Sequence, residues 1–165
     1  MAIETERKFL LSSDAWRREA VTPPERLVQG YLPRVAGGPT VRVRISGERA
    51  FLTVKGRPRA DSPVSRSEFE YEIPVTDAEN MLDEFCGGNL VKKLRYTFPA
   101  AGGLQWEIDE YLDLNAGLFT AEIELPGPGT PVPRPPWLGK EISGDPRYTN
   151  ASLSGCPYSL WRNGK

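Results

Sequence analysis

From about residue 2 to residue 125, short segments alternate charged and apolar side chains with a period of two, and like charges recur at i and i+2. That period belongs to a β-strand, whose successive side chains point to opposite faces. Glu4, Glu6 and Lys8 share a face against Ile3, Thr5, Arg7 and Phe9. Arg42 and Arg44 oppose Val41, Val43 and Ile45, and Thr53 and Lys55 oppose Leu52 and Val54. Arg66, Glu68, Glu70 and Glu72 oppose Phe69, Tyr71 and Ile73. Lys93 and Arg95 oppose Leu94, Tyr96 and Phe98; Glu107, Asp109 and Tyr111 oppose Trp106, Ile108 and Leu112; Glu122 and Glu124 oppose Ala121, Ile123 and Leu125. A face turned to water ordinarily mixes neutral polar residues with both signs of charge. Like charges two residues apart sit roughly 7 Å from each other. At an effective dielectric of about 20 they repel by roughly 2 kcal/mol. A face that repeats this on many strands asks for counter-charges.

Eight strands are predicted, over about 2–11, 27–34, 40–46, 50–56, 65–74, 91–98, 104–112 and 119–125. The Gly and Pro residues, 16 of each, fall mostly between these segments as turns. The links 47–49 and 99–103 have hairpin length, so the strands they join are antiparallel neighbours. Eight strands in one sheet curl or close. The expected fold is therefore mainly β with some α: an eight-stranded antiparallel closed barrel with a few flanking helices and the charged face inside. Ser12 or Ser13 is placed to cap a helix over Asp14–Ala20, stopped by Pro23 and Pro24. A second helix is predicted from near Thr76, with Met81, Leu82 and Phe85 as its apolar stripe and Gly87-Gly88 as its stop. Gly127–Pro136, with five prolines, reads as a loop; from Trp137 onward the chain reads as a tail that packs back, with a turn at Asn150–Leu153 and an anchor at Tyr158–Trp161. The 165 residues are expected to form one domain, 1–165.

Composition narrows the chemistry. Lys and Arg number 21 against 22 Asp and Glu, a net charge of −1, which argues against a nucleic-acid or anionic-membrane partner. There is no apolar run of membrane-spanning length and no secretory signal at the N-terminus, and Cys86 and Cys156 make no disulfide framework, so the expected location is cytoplasmic. There is no histidine at all, which excludes imidazole acid–base chemistry, His-based nucleophile pairs and His-ligated zinc.

Lys8, Arg42, Arg44, Lys55, Arg66, Lys93 and Arg95 make seven inward cations; Glu4, Glu6, Glu68, Glu70, Glu72, Glu107, Asp109, Glu122 and Glu124 make nine inward anions. The signs come in blocks, so the sequence predicts little mutual ion pairing. An Arg-x-Arg strand suits an anion with several oxygens. A Glu-x-Glu strand suits a hard cation such as Mg²⁺ or Mn²⁺. A polyphosphate with its metal ions satisfies both.

Glu4-Thr-Glu6-Arg-Lys8 followed by Phe9-Leu10 resembles the Glu-x-Glu-x-Lys signature of the CYTH family, the triphosphate tunnel metalloenzymes. Further elements follow in family order: Gln29-Gly30-Tyr31-Leu32, Arg42-x-Arg44, Leu52-Thr-Val-Lys55-Gly56, Arg66-Ser-Glu68-Phe-Glu70, Lys93-Leu-Arg95-Tyr96, Trp106-Glu-Ile-Asp109, Glu122-Ile-Glu124, and Trp137-Leu-Gly with Asp145-Pro-Arg147-Tyr148. The chain looks most like the short bacterial members. The resemblance implies an open tunnel that binds a triphosphate with a divalent metal. Carried over by position, it implies phosphate binding by Lys8, Arg42, Arg44, Lys55, Lys93 and Arg95, and metal binding by Glu4, Glu6, Asp109, Glu122 and Glu124. Parity adds Arg66 to the phosphate set and Glu68 and Glu70 to the metal set, while Glu72 and Glu107 would face the tunnel mouths.

The expected activity is metal-dependent hydrolysis of a triphosphate, first of all inorganic tripolyphosphate to pyrophosphate and phosphate. Mg²⁺ or Mn²⁺ would neutralise phosphate charge and acidify the attacking water. Lys55 is the candidate base, its pKa lowered by Arg42 and Arg44, with Tyr31 assisting. Nucleoside or thiamine triphosphate hydrolysis, class IV-type adenylate cyclisation, and a non-catalytic polyphosphate-binding module are the alternatives. The expected partner is a small-molecule triphosphate, with no nucleic acid or membrane; a homodimer is left open.

Overall fold

The structure, a computed structural model, describes residues 3–87 and 90–163. Among the described residues nine strands are present: β1 (Ile3–Leu11), β2 (Glu25–Tyr31), β3 (Thr40–Ser46), β4 (Arg49–Arg59), β5 (Ser62–Ile73), β6 (Val91–Pro99), β7 (Gln105–Tyr111), β8 (Phe119–Glu124) and β9 (Leu138–Glu141). Two α-helices, α1 (Val75–Phe85) and α2 (Asn150–Gly155), join them. The sheet runs β5-β4-β3-β2-β6-β7-β8-β1-β9, and an additional β5–β1 pairing closes eight of the strands into a ring. Every pairing is antiparallel. One edge of β1 carries β8 along Glu6–Leu10; its other edge pairs β5 at Ile3–Thr5 and then β9 from Phe9 to Leu11. The eight predicted strands are all found. β4 and β5 run further into their shared hairpin than the alternation extends, through a register shift at Pro58.

The pleat turns the apolar set outward, so the core lies between the barrel and what covers it. Phe9, Phe98, Trp106, Ile108, Ala121 and Ile123 pack beneath Trp16 and Trp137, all nearly fully buried. Trp16 comes from a single 3-10 turn over Ala15–Arg18, with no side-chain cap, where a longer helix over Asp14–Ala20 was expected. The prolines that follow and the pull of Trp16 into the core leave no room for a second turn. Trp137 ends the proline-rich loop, which has no strand as expected, and its indole N–H donates to Glu19 Oε1 at 2.7 Å. On the opposite wall, Ala78, Leu82 and Cys86 of α1 cover Val43 and Ala50. α1 begins where expected and stops at Gly87, which takes φ +61°; Gly88 lies outside the described residues.

Two glycines are required by geometry. Gly47 opens the two-residue β3–β4 turn with φ +59°. Gly30 of β2 is the seat for the end of α1: a Cβ there would stand 2.7 Å from Cys86 Cβ and 2.9 Å from Leu90 Cδ2.

The tail was expected to pack back, and it does so as secondary structure. β9 extends the sheet, and α2 replaces the expected turn at Asn150–Leu153, with Thr149 Oγ1 accepting from Ser152 N–H at 3.1 Å. Leu153 of α2 is buried against Val91, Tyr111 and Leu118, with Tyr148, Tyr158 and Trp161 around them. Val91 and Tyr111 have the inward parity of their strands. The bore is thus filled at one end by the tail and is not open throughout.

Gly30→Ala is expected to push α1 off its seat and cost about 1–3 kcal/mol. Urea unfolding of the variant checks this; an unchanged midpoint would mean that the helix end shifts without loss.

Candidate active site

The interior holds a cavity of about 500 Å³. Six of the seven expected phosphate ligands line it: Lys8, Arg42, Arg44, Lys55, Arg66 and Arg95. So do six of the seven expected metal ligands: Glu4, Glu6, Glu68, Glu70, Glu122 and Glu124. Glu107 also lines it, whereas Glu72 pairs with Arg49 in solvent at 2.7 Å. Tyr31 faces the cavity, and its hydroxyl accepts from Gln29 Nε2 at 2.8 Å.

Strand order separates the two linings. β3, carrying Arg42 and Arg44, stands four places from β8, carrying Glu122 and Glu124, in a ring of eight. The arginine wall therefore faces the glutamate wall across the bore. Burial pulls the Arg44 guanidinium down to about 10, and neighbouring Arg42 and Arg95 act in the same direction. Its nearest acid is Glu70 at 3.6 Å, and Nε of both Arg42 and Arg44 has no hydrogen-bond partner.

Against the expectation from blocks of sign, the linings also pair with each other. Lys55 Nζ sits 3.0 Å from Glu4 and 3.1 Å from Glu68; Lys8 Nζ is 3.2 Å from Glu122; Arg42 is 3.2 Å from Glu70. Register causes this, because Lys8 is the direct partner of Glu122, and Lys55 of Glu68. The groups closest to Lys55 are thus carboxylates, where Arg42 and Arg44 were expected to be its nearest charged neighbours.

Lys93 and Asp109 do not line the cavity. They lie behind its wall, 1% and 0% exposed at the side chain, joined at 2.6 Å. Asp109 also takes Arg95 Nε and Nη2 at 2.8 Å each, so both of its oxygens are engaged by cations. Those cations hold its carboxyl well below the usual carboxylate range. Arg95 then reaches Glu107 at 2.6 Å and Glu122 at 3.4 Å, so one guanidinium ties the buried aspartate to the cavity wall. Burial brings the Lys93 ammonium down to about 8.

Two acids are left over. Glu6 and Glu124 are direct register partners on β1 and β8, and among the described residues neither makes an ion pair. Burial, with Glu122 and Glu4 nearby, pushes the Glu6 carboxyl up to about 8; burial and Glu4 raise Glu124. Like charges directly opposite on a sheet repel. With Glu4 and Glu122 beside them they form an all-oxygen set suited to a hard divalent cation. The described residues contain no cluster arranged as a preformed metal cage.

The tail adds cavity residues that strand parity cannot find: Ser143, Tyr148 and Asn150, and, from the β2–β3 link, Arg34. Lys8 Nζ donates to the Tyr148 carbonyl at 2.8 Å. Of the two tail motifs that resemble the family, Trp137-Leu-Gly lies off the cavity, whereas Asp145-Pro-Arg147-Tyr148 reaches it.

Asp109→Ala is expected to destabilise the fold by about 3–5 kcal/mol, because the Arg95 guanidinium keeps its charge with its bidentate partner gone and Lys93 must give up its proton to stay buried. Equilibrium denaturation measures it; a loss under 1 kcal/mol would mean that Glu107 and Glu122 compensate Arg95 on their own.

A model of the CYTH domain matches residues 2–152. An inorganic triphosphatase of Acetivibrio thermocellus is 42% identical over 162 residues, 98% of this chain and 99% of that protein. An inorganic triphosphatase of Nitrosomonas europaea is 32% identical over 154 residues, 92% of this chain and 96% of that protein. The crystal structure of the inorganic triphosphatase NE1496 superposes with a TM-score of 0.59 at 31% identity, covering 93% of this chain and 95% of that one.

Proposed function

Because the chain belongs to the CYTH domain family, we propose that it is a divalent-metal-dependent triphosphatase whose first substrate is inorganic tripolyphosphate. One observation carries this: an enclosed cavity with arginines on one wall and unpaired carboxylates on the facing wall. Arg42 and Arg44 line the cavity, where their guanidinium groups would clamp phosphate oxygens, and Arg66, Lys8 and Arg95 surround the same space. Glu4, Glu6, Glu122 and Glu124 would hold Mg²⁺ or Mn²⁺, with Glu68 and Glu70 next to them. When bound, the ion supplies charge neutralisation and an acidified water.

Water oxygen bonds to a terminal phosphorus, the bridging P–O bond breaks with its electron pair on the pyrophosphate oxygen, and the water protons end on the released phosphate and pyrophosphate. The cationic wall is already aimed at the phosphoryl oxygens on which charge resides, so little reorganisation is needed as the bond breaks. Of the two roles open to Lys55, phosphate binding has the support. Its ammonium stands between Glu4 and Glu68 at the junction of the acidic and basic linings, placed to be shared with a phosphate oxygen. Tyr31, accepting from Gln29, keeps its own O–H to offer to a phosphate oxygen.

Inorganic substrate is favoured because Leu153 of the tail packs against Val91 and Tyr111, both of inward parity, at the far end of the bore. No helix among the described residues is long and apolar enough to cross a membrane. Two free cysteines, Cys86 and Cys156, fit a reducing cytoplasm.

Phosphate release from tripolyphosphate, ATP and thiamine triphosphate, each with and without Mg²⁺, tests the reading. Tripolyphosphate is expected to be turned over fastest and only with metal. Equal turnover without metal, or binding with no turnover, would sink it. Arg42→Ala should cut kcat by about 10²–10³, the typical cost of one preorganised donor.

A further inference from the structure

The tail does more than fill the end of the barrel. α2 begins at Asn150, whose Oδ1 accepts from the Tyr111 hydroxyl at 2.8 Å and from Lys93 Nζ at 3.4 Å. Both donors are buried, 2% and 1% exposed, on β7 and β6. The Tyr111 oxygen in turn accepts from Lys8 Nζ at 3.5 Å. Lys8 completes its three donors with the Tyr148 carbonyl and Glu122. One side chain of the tail therefore stands at the head of a chain of contacts that ends at a cavity-lining ammonium and a cavity-lining carboxylate.

We propose that Asn150 is a positioning residue for the phosphate-binding floor of the cavity, acting through the Tyr111 hydroxyl on Lys8 and directly on Lys93. The chemistry of the side chain suits this. A carboxamide oxygen can accept two hydrogen bonds without bringing a negative charge beside the phosphate. An aspartate would repel the ligand, and an alanine would leave two buried donors short of an acceptor. The two contacts also fix the direction of the Tyr111 hydroxyl. Packing alone holds the ring, against Val91, Leu118 and Leu153, but not the direction of its hydroxyl. Docking of α2 and the setting of the cationic floor are one event.

This inference rests on the triphosphate-binding reading, and the test separates the two. Asn150→Ala, Tyr111→Phe and the double variant are made in the full chain. The dissociation constant for tripolyphosphate is measured by calorimetry without divalent metal, alongside kcat and KM with Mg²⁺. Tyr111→Phe keeps the packed ring and removes only the relay oxygen, so it reports even if Asn150→Ala undocks α2. Each single variant is expected to raise Kd and KM about tenfold with kcat changed less than threefold. The double variant is expected to be no worse than the weaker single one, because both break the same route.

A Tyr111→Phe protein with wild-type Kd overturns the proposal, as does a double variant whose losses multiply. A wild-type protein that binds tripolyphosphate but releases no phosphate sinks the hydrolysis reading while the Kd series still decides this one. A wild-type protein that does not bind it overturns both.

Discussion

A charge enclosed by a ring of strands must find another charge, because bulk water is not there to solvate it. That constraint organises this protein. The pleat sends every second side chain into the bore, and ring closure between β1 and β5 at Ile3–Thr5 removes the edge through which solvent would otherwise enter. What happens inside is then decided by register. Where register sets Lys8 beside Glu122 and Lys55 beside Glu68, the charges compensate each other locally. Where it sets Glu6 beside Glu124, they cannot.

The compensated part and the uncompensated part have different work. Asp109 and Lys93 form a fully buried pair that anchors the Arg95 guanidinium while leaving its outer face toward Glu107 and Glu122. A pair of this kind adds little net stability, since desolvation offsets the attraction, but it fixes geometry. Arg95 is therefore held from behind and presented to the cavity. Arg42 and Arg44 are held by one acid on the cavity side instead: both reach Glu70, at 3.2 and 3.6 Å, and the buried Nε of each is without a partner.

Much of this was legible in the sequence because a period of two is a strong signal, and it recurs on seven strands. Inward parity placed twelve of the fourteen expected binding residues on the cavity wall. Parity says nothing about depth, so it could not tell that Lys93 and Asp109 lie behind that wall. Nor does it give register, so ion pairs between neighbouring strands were hidden behind blocks of sign. β9 is four residues long with a glycine inside, and its partner β1 lies far away in the chain. α2 offers a single buried apolar residue, Leu153, and no stripe. Short elements held by tertiary contact leave little local pattern to read.

The pairing of Glu6 with Glu124 is the most informative defect in the molecule. An ordinary sheet would place a lysine or threonine opposite one of them, as it does at Lys8 and Glu122 two residues along, and would gain stability by it. Retaining two facing acids next to Glu4 and Glu122 leaves the folded chain with repulsion it could have avoided. Natural sequences break local rules mainly where function compensates for them. A divalent cation held there, as proposed, would remove that repulsion and would at the same time neutralise a polyphosphate drawn to the arginine wall. The two walls are therefore complementary to a single guest, and neither wall alone accounts for the other.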